Sequence, residues 1–144
     1  MEHEVPSDTA IDRLRALLER QPVPGVVSAY VFGSLVDGRA NRQSDADLGV
    51  LLDRAVYPDE AVRFDAQLVL RSHLSPAAVG REVDLVVLND APPLLGRRIV
   101  RGLQVYCASP AIDHAFHRDV QLRAADLEPF IRAMRRRLLA YVAP

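Results

Sequence analysis

Three short segments of the 144-residue chain carry side chains that could perform chemistry together. Gly33-Ser34 comes first, Asp45-Ala46-Asp47 follows after ten residues, and Asp84 lies further along in an apolar run. Side chains two positions apart in a strand point to the same face, with Cα atoms about 6.6 Å apart. If residues 45–52 form a strand, Asp45 and Asp47 therefore project together and can converge on one or two cations.

Asp84 stands between valine and leucine, where a carboxylate is costly to bury unless it is paired. All 18 basic residues of the chain are arginine, so its possible partners are an arginine, a backbone donor or a metal ion. Converging carboxylates repel one another without a cation, since two unit charges 4 Å apart cost about 4 kcal/mol at an effective dielectric of 20. Oxygen-only ligands favour a hard cation, Mg²⁺ before Zn²⁺.

The Gly33-Ser34 pair supplies what a phosphate group needs. Glycine permits a sharp turn and a close approach of backbone N–H groups, and the serine hydroxyl adds a donor. A phosphate cradle beside an acidic metal cluster is typical of phosphoryl or nucleotidyl transfer. Simpler interpretations are a plain turn at Gly33-Ser34, turn or cap roles for Asp45 and Asp47, and an arginine partner for Asp84.

The composition excludes several other kinds of protein. Without lysine there is no Walker-type phosphate loop and no lysine catalysis, and the single Cys107 excludes an intrachain disulfide and a cysteine-rich zinc site. A net charge of −1 provides no general attraction to nucleic acid or membranes, so we expect neither direct nucleic-acid binding nor a membrane partner. The acidic N-terminus and the lack of a membrane-length apolar run predict a cytoplasmic protein.

Hydrophobic periodicity predicts the elements that must position these residues. We expect strands at 26–32, 45–52, 83–88 and, at a sheet edge, 105–108. Helices are predicted near 8–21, 59–73 and 92–101, and residues 35–44 hold at most one irregular turn. In the helix at 59–73, the residues expected to face inward are Ala61, Phe64, Leu68 and Val69.

Two polar residues and the C-terminal tail complete the prediction. Asp90 is expected to cap the helix that begins at residue 92, and Asp53 to end a strand. Ser109-Pro110 open a long helical tail, which Pro129 splits into two helices with Asp126 as the second cap. The expected fold class is α/β (α+β), with a small mixed sheet packed on one face by helices. The strands at 26–32 and 45–52 lack a crossover helix between them and could pair as antiparallel or mixed neighbours.

The residues Gly33-Ser34, Asp45-x-Asp47 and Asp84 together resemble the minimal nucleotidyltransferase signature of the DNA-polymerase-β-like superfamily. The flanking segments 30–32 and 44–48 match as well, so the catalytic resemblance spans about residues 26–90. Within that superfamily, the chain length and helical tail resemble the MntA-type adenylyltransferase antitoxins of HEPN–MNT toxin–antitoxin systems. The resemblance implies a polymerase-β-like fold, with a nucleotidyltransferase domain at 1–108 and a C-terminal helical extension at 109–144 packed on the same domain.

The resemblance also implies site roles, with ATP as the substrate and two Mg²⁺ ions as cofactors. Asp45 and Asp47 would hold both ions, and Asp84 would complete the catalytic ion site and help to deprotonate the attacking hydroxyl. Gly33 and Ser34 would grip the β- and γ-phosphates. In such relatives the acceptor is a tyrosine hydroxyl of a partner HEPN toxin. Leu35 and Asp37 stand where many relatives carry polar or basic residues, so an additional phosphate contact is expected from an arginine elsewhere.

Several assignments stay open at this point. Arg97, Arg98 and Arg101 could face phosphate or a partner, although a solvated helix face is favoured. His114 and His117 lack a third ligand and fit structural or surface roles. Two other functions compete: an antitoxin that acts by binding alone, and an adenylyltransferase of a small hydroxylated molecule such as an aminoglycoside. Residues 109–144 leave little room for the acceptor domain that the latter needs.

Overall fold

The computed structural model describes residues 7–41 and 43–142, without the side chains of Ser7 and Asp8. Each predicted strand, and each helix predicted before residue 109, is found with ends within two residues of those expected. Short 3₁₀ turns at Ser75–Ala78 and Leu88–Asp90 flank the third strand. In chain order the main elements are α1 (Ser7–Arg20), β1 (Val26–Phe32), α2 (Ser34–Asp37), β2 (Ala46–Leu52), α3 (Glu60–Leu74), β3 (Val83–Val87), α4 (Pro93–Val100), β4 (Leu103–Cys107) and α5 (Pro110–Val142).

The four strands form one mixed sheet in the order β3-β2-β1-β4. β1 is antiparallel to both β2 and β4, whereas β2 and β3 are parallel. The mixed sheet is therefore confirmed, and the open choice for β1 and β2 is settled as antiparallel. With these directions, the C-terminal end of β1 lies at the same end of the sheet as the N-terminal ends of the other three strands.

Helices cover both faces of the sheet, so the predicted packing on one face is wrong. Apolar side chains of α1 and α3 pack on one face, and those of α4 and α5 pack on the other. The reason lies in β1, which is buried along its whole length. Val31 faces the first core while its neighbours Tyr30 and Phe32 face the second, so each face of the strand needs its own cover.

α3 presents a different side to the sheet from the one predicted. The side chains expected to face inward are exposed, including Phe64 (59%) and Val69 (65%). Arg63, Leu70 and Leu74 are buried in their place. An apolar stripe of α3 consequently lies on the protein surface.

A buried ion pair explains this orientation of α3. Arg63 donates from Nε and Nη2 to the two carboxylate oxygens of Asp90, both at 2.9 Å, and from Nη1 to the carbonyl of Tyr57 at 3.0 Å. A bidentate arginine with an additional acceptor can be buried because its charge and donors are satisfied. The predicted cap role of Asp90 is therefore wrong, and α4 begins after Pro92 without a side-chain cap.

α5 is one continuous helix, so the predicted split at Pro129 and the cap at Asp126 are wrong. Proline removes one helical hydrogen bond, and this part of α5 is exposed, so water can reach the carbonyl left without a partner. No helix in the described part of the chain has both the length and the apolar character that a membrane crossing requires.

A buried polar network ties the start of α5 to the sheet. The hydroxyls of Ser28 and Tyr30 both donate to Asp113 Oδ1 at 2.6 Å, and Gln104 Nε2 donates to Oδ2 at 3.1 Å. His117 Nε2 lies 2.8 Å from the Tyr30 hydroxyl, which gives this histidine the structural role favoured by the sequence. Burial, followed by the hydrogen bond and charge of Asp113, raises the pKa of Tyr30. Nearly all of the Asp113 surface is buried, so these donors are what make its charge tolerable.

The orientation of α3 can be tested with two leucines of the same helix. Leu70 is 1% exposed and Leu68 is 52% exposed. We expect Leu70→Ala to lower the free energy of unfolding by about 2–5 kcal/mol because it leaves a cavity. Leu68→Ala should lower it by less than about 1 kcal/mol, as surface substitutions do. Urea unfolding followed by circular dichroism measures both, and equal losses would contradict the orientation described.

Candidate active site

The strand register brings the predicted acidic residues to one edge of the sheet. Asp47, near the start of β2, is paired with Phe32 of β1 on one side and with Asp84 of β3 on the other. Asp45 immediately precedes β2. Asp47 is half-buried, whereas Asp45 and Asp84 are exposed. The alternating pattern of a strand places Asp47 on the face that α4 covers, since its neighbours Ala46 and Leu48 belong to the opposite core.

The carboxylates of Asp45 and Asp84 lie close enough to influence that of Asp47. Burial raises the pKa of Asp47, and the negative charges of Asp84 and Asp45 raise it further. The positive charge of Arg98 acts in the opposite direction. Mutual repulsion of this kind is what a bound cation relieves. None of the ion pairs between described residues includes Asp84, so its alternative role as the partner of an arginine lacks support.

The carboxylates do not form a closed metal cage. Within residues 7–41 and 43–142, no three His, Cys, Asp or Glu side chains are grouped tightly enough to hold an ion by themselves. The donor set still suits Mg²⁺, which is bound through one or two carboxylates and completes its shell with water and substrate phosphates. A site of this type needs its substrate in order to be complete.

Gly33 makes the turn between β1 and α2, and its conformation requires glycine. Its φ is 74° and its ψ is −147°, a region that other residues rarely adopt. A side chain at this position would collide with the carboxylate of Asp47. The Gly33 carbonyl accepts hydrogen bonds from Val36 N at 3.1 Å and Asp37 N at 2.9 Å. These bonds form the single helical turn of α2, which Ser34 opens as a half-buried residue.

An arginine-lined cleft of about 330 Å³ lies beside Gly33. We call it the arginine cleft, because Arg97, Arg98 and Arg101 of the α4 region line it opposite Gly33. Arg97 donates to Glu128 at 2.9 Å, and this hydrogen bond lowers the pKa of Glu128. The sequence favoured a solvated helix face for these arginines. Arg98 and Arg101 are exposed, yet they border the candidate site.

The direction of these arginines depends on how closely α4 approaches the sheet, which the sequence pattern did not reveal. Gly49 of β2 lies against Ile99, and a side chain at position 49 would collide with it. A Cβ on Gly102, just after α4, would lie 2.5 Å from the carbonyl oxygen of Val31. Glycines at 49 and 102 were the available signal, since glycine in or next to a strand often marks a close approach.

Comparisons with known proteins agree with this geometry. The family model described as "Polymerase beta, Nucleotidyltransferase" matches residues 13–111, more than half of the chain. The predicted polymerase-β-like fold, with its mixed sheet and long C-terminal helix, is thereby confirmed. A search of curated proteins found no significant match.

Several solved structures are similar over most of the chain. A chain in a toxin–antitoxin complex with AMP-PNP is 26% identical with a TM-score of 0.65, covering 90% of this chain and 98% of that one. A chain in a mutant MntA–HepT complex is 25% identical with a TM-score of 0.63, over 90% and 98%. A chain in the complex of a tri-AMPylated Shewanella oneidensis HEPN toxin with its MNT antitoxin is 23% identical, with a TM-score of 0.61, over 92% and 98%. The last of these identities supports the fold alone.

The role of Gly33 can be separated from general backbone strain by using Gly38 as a control. Both glycines have a φ of 74°, but a Cβ on Gly38 meets no atom within 4 Å. We expect Gly38→Ala to lower the free energy of unfolding by about 1–2 kcal/mol, the cost of a left-handed conformation. Gly33→Ala should lower it more, because the new methyl group also displaces the Asp47 carboxylate.

Adding Asp47→Ala should restore part of the stability of Gly33→Ala, since it removes the group with which the methyl collides. The same substitution in the Gly38→Ala background should restore less, because it relieves carboxylate repulsion but no collision. Urea unfolding of the four variants measures these differences. Equal effects of Asp47→Ala in both backgrounds would show that the collision does not exist.

Proposed function

Because the chain belongs to the polymerase beta nucleotidyltransferase family, we propose that it transfers AMP from ATP to a tyrosine hydroxyl of a partner HEPN toxin and so acts as an antitoxin. Membership of the family accounts for nucleotidyl transfer as the reaction class. ATP as donor and a toxin as partner are supported by the similar chains, at 25–26% identity, in toxin–antitoxin complexes, one of which contains AMP-PNP.

The observation that carries the proposal is the position of Asp47 between the Gly33 turn and Asp84 of β3. On one side its carboxylate lies against Gly33, and the positive charge of Arg98 in the arginine cleft acts on it. On the other side it is paired in register with Asp84 of β3. A nucleotide whose phosphates occupy the Gly33 side would present its α-phosphate to the carboxylates, with Asp84 on the side from which an acceptor can approach.

Asp45, Asp47 and Asp84 are the residues that would hold Mg²⁺. When bound, the ion neutralises charge on the triphosphate and polarises the reacting phosphate. Asp47 would be the central ligand, since it is paired in register with Asp84 and lies two residues after Asp45. The raised pKa of Asp47 means that its charged form is less stable than that of an ordinary aspartate. A bound cation would stabilise the charged form.

The other site residues bind the phosphates, and Asp84 also accepts the proton of the acceptor hydroxyl. Gly33 and Ser34 hold the β- and γ-phosphates, and Arg98 and Arg101 contribute positive charge that the short α2 turn lacks. The acceptor oxygen forms a bond to the α-phosphorus while the bond to the bridging oxygen of the β-phosphate breaks and pyrophosphate leaves. Asp84 accepts the hydroxyl proton. A tyrosine needs this assistance because its unperturbed pKa is about 10.

Neutralisation by binding alone is the second candidate, and the far half of α5 favours it. Leu138, Leu139 and Tyr141 are 61–89% exposed, together with Phe130 and Met134 at 63% and 46%. An apolar stripe of this size on a helix is typical of a protein contact. Binding and AMP transfer are compatible, and the measurements below distinguish binding alone from both together.

The first functional prediction concerns the carboxylates. With Mg²⁺, α-labelled ATP and the product of a neighbouring gene that encodes a helical protein with an Arg-x(4–6)-His-x-Tyr motif, we expect AMP on a tyrosine of that product. The double variant Asp45→Asn/Asp47→Asn and the single variant Asp84→Asn should each lose transfer by about two orders of magnitude or more, the scale of a lost catalytic group. Transfer is measured as label incorporated into the partner protein and as the increase in its intact mass.

Asp12→Asn is the control, since Asp12 is an exposed residue of α1 outside the site. It should transfer AMP at the rate of the wild type. Full transfer by the double variant would overturn the carboxylate assignment. An unmodified product that is nevertheless inhibited would favour binding alone.

The second prediction concerns the phosphate cradle. We expect Ser34→Ala to weaken ATP binding by roughly tenfold to a hundredfold, because one hydrogen bond to a charged group is worth about 1.5–3 kcal/mol. AMP should bind equally to both forms, since it lacks the β- and γ-phosphates. Calorimetry measures both ligands, with the exposed residue Ser72 of α3 changed to alanine as the control. Equal losses of ATP and AMP affinity would show that Ser34 does not contact the β- and γ-phosphates.

A further inference from the structure

A second, larger groove runs along the free edge of the sheet next to Asp84. β3 pairs with β2 on one side alone, so its other side is an edge of the sheet. The groove has a volume of about 1060 Å³ and lies between α3 and the segment that leads into α4. We call it the β3-edge groove, defined by Phe64 and Asp65 of α3, Asp84 and Val86 of β3, and Pro92 and Leu95.

The backbone of this edge is partly occupied. Glu82 O accepts a hydrogen bond from Ala46 N of β2, so the backbone groups of alternate residues 83, 85 and 87 point away from the sheet. Gln67 of α3 donates its side-chain N–H to the carbonyl of Leu85. This contact obstructs the addition of another strand, and recognition in the groove must therefore depend on side chains.

The charge of the groove is strongly negative. Its acidic lining comprises Asp59, Glu60, Asp65, Asp84 and Asp90, and among the described residues no arginine or histidine lines it. Asp90 is neutralised by its ion pair with Arg63, and the other four are exposed. The arginine cleft has the opposite sign, because Arg97 is paired with Glu128 and Asp37 with Arg39, which leaves the charges of Arg98 and Arg101. The phosphates of a nucleotide would be attracted to the cleft and repelled from the groove.

An apolar surface continues from the groove onto α3. Phe64 lines the groove, and Leu68 and Val69 extend the same exposed stripe along the helix, with exposed fractions of 52–65%. On the other wall, Pro92 and Leu95 add apolar surface. An apolar surface that adjoins a groove lined by exposed carboxylates is typical of a protein-binding site.

We infer that the β3-edge groove is the docking site of the acceptor, and that it binds a polypeptide segment in which apolar and basic side chains flank the hydroxyl that receives AMP. This inference rests on the proposed function, because Asp84, which lines the groove, is the group that accepts the hydroxyl proton. The acidic rim selects positive charge, and the apolar stripe of α3 selects apolar side chains over a small polycation. The cleft and the groove thus deliver the two substrates from opposite sides of Asp47.

Two labelled peptides test the docking site without requiring catalysis. Each has a central tyrosine flanked by leucines, with arginines in one peptide and glutamates at the same positions in the other. In fluorescence anisotropy at low salt, we expect the arginine peptide to bind about tenfold more tightly or better, and to weaken as salt is added. Phe64→Ser should weaken it further at high salt, where charge is screened.

A charge exchange provides the sharpest comparison. In Glu60→Arg/Asp65→Arg two positive charges offset the remaining exposed Asp59 and Asp84, so the preference should be lost and the two peptides should bind about equally. Asp12→Arg/Glu19→Arg changes the net charge equally on α1, away from the groove, and should keep the preference of the wild type. With Mg²⁺ and ATP, the AMP-transfer rates to the two peptides should follow the same order.

The outcomes separate the two proposals. Equal binding of both peptides to the wild type, or the same shift in both charge variants, overturns the docking site and leaves nucleotidyl transfer standing. Faster transfer to an aminoglycoside such as kanamycin than to the arginine peptide also overturns it, as does AMP found on Tyr141 of the protein itself in place of the peptide. Peptide binding with the expected charge preference but without ATP binding by the wild type overturns the proposed function and leaves the surface as a binding site.

Discussion

The candidate site depends on the close approach between the backbone of Gly33 and the carboxylate of Asp47. The carboxylate occupies the volume that any side chain at position 33 would need, and the backbone there has a φ of 74°. Because of this contact, β1 can end and turn into α2 directly against the acidic edge of the sheet. A phosphate held at the turn is then adjacent to the carboxylates, which is the arrangement that nucleotidyl transfer requires.

The strand register places Asp47 between two surfaces of opposite charge. Asp47 lies between β1, where the arginine cleft begins, and β3, where Asp84 borders the acidic groove. An anionic donor and a cationic acceptor segment would be drawn to different sides of the same carboxylate. Electrostatic sorting of this kind would also limit unproductive binding, because each substrate would be repelled from the other's surface.

The C-terminal helix has two parts with different surroundings. Its first turns are anchored by the buried carboxylate of Asp113 and by the contact of Val120 with Gly96 of α4. Its last turns, from about residue 129, are mainly exposed and carry apolar and basic side chains. The first part holds α4, and with it the arginines, against the sheet. The division at residues 108 and 109 into a domain and an extension stays a prediction, as do the roles of the individual site residues.

The sequence by itself predicted the strands, the helices before residue 109 and the mixed sheet, and it singled out the acidic and glycine residues of the candidate site. These depend on local periodicity, and Gly33-Ser34 with Asp45-x-Asp47 depends on spacing within strands and turns. The tertiary structure decided which side of α3 is buried, because the ion pair of Arg63 with Asp90 joins residues 27 positions apart. It also decided that helices cover both faces, that α5 continues through Pro129, and that Arg98 borders the site. Each of these outcomes depends on packing between distant segments or on access of water, and neither is encoded in a local pattern.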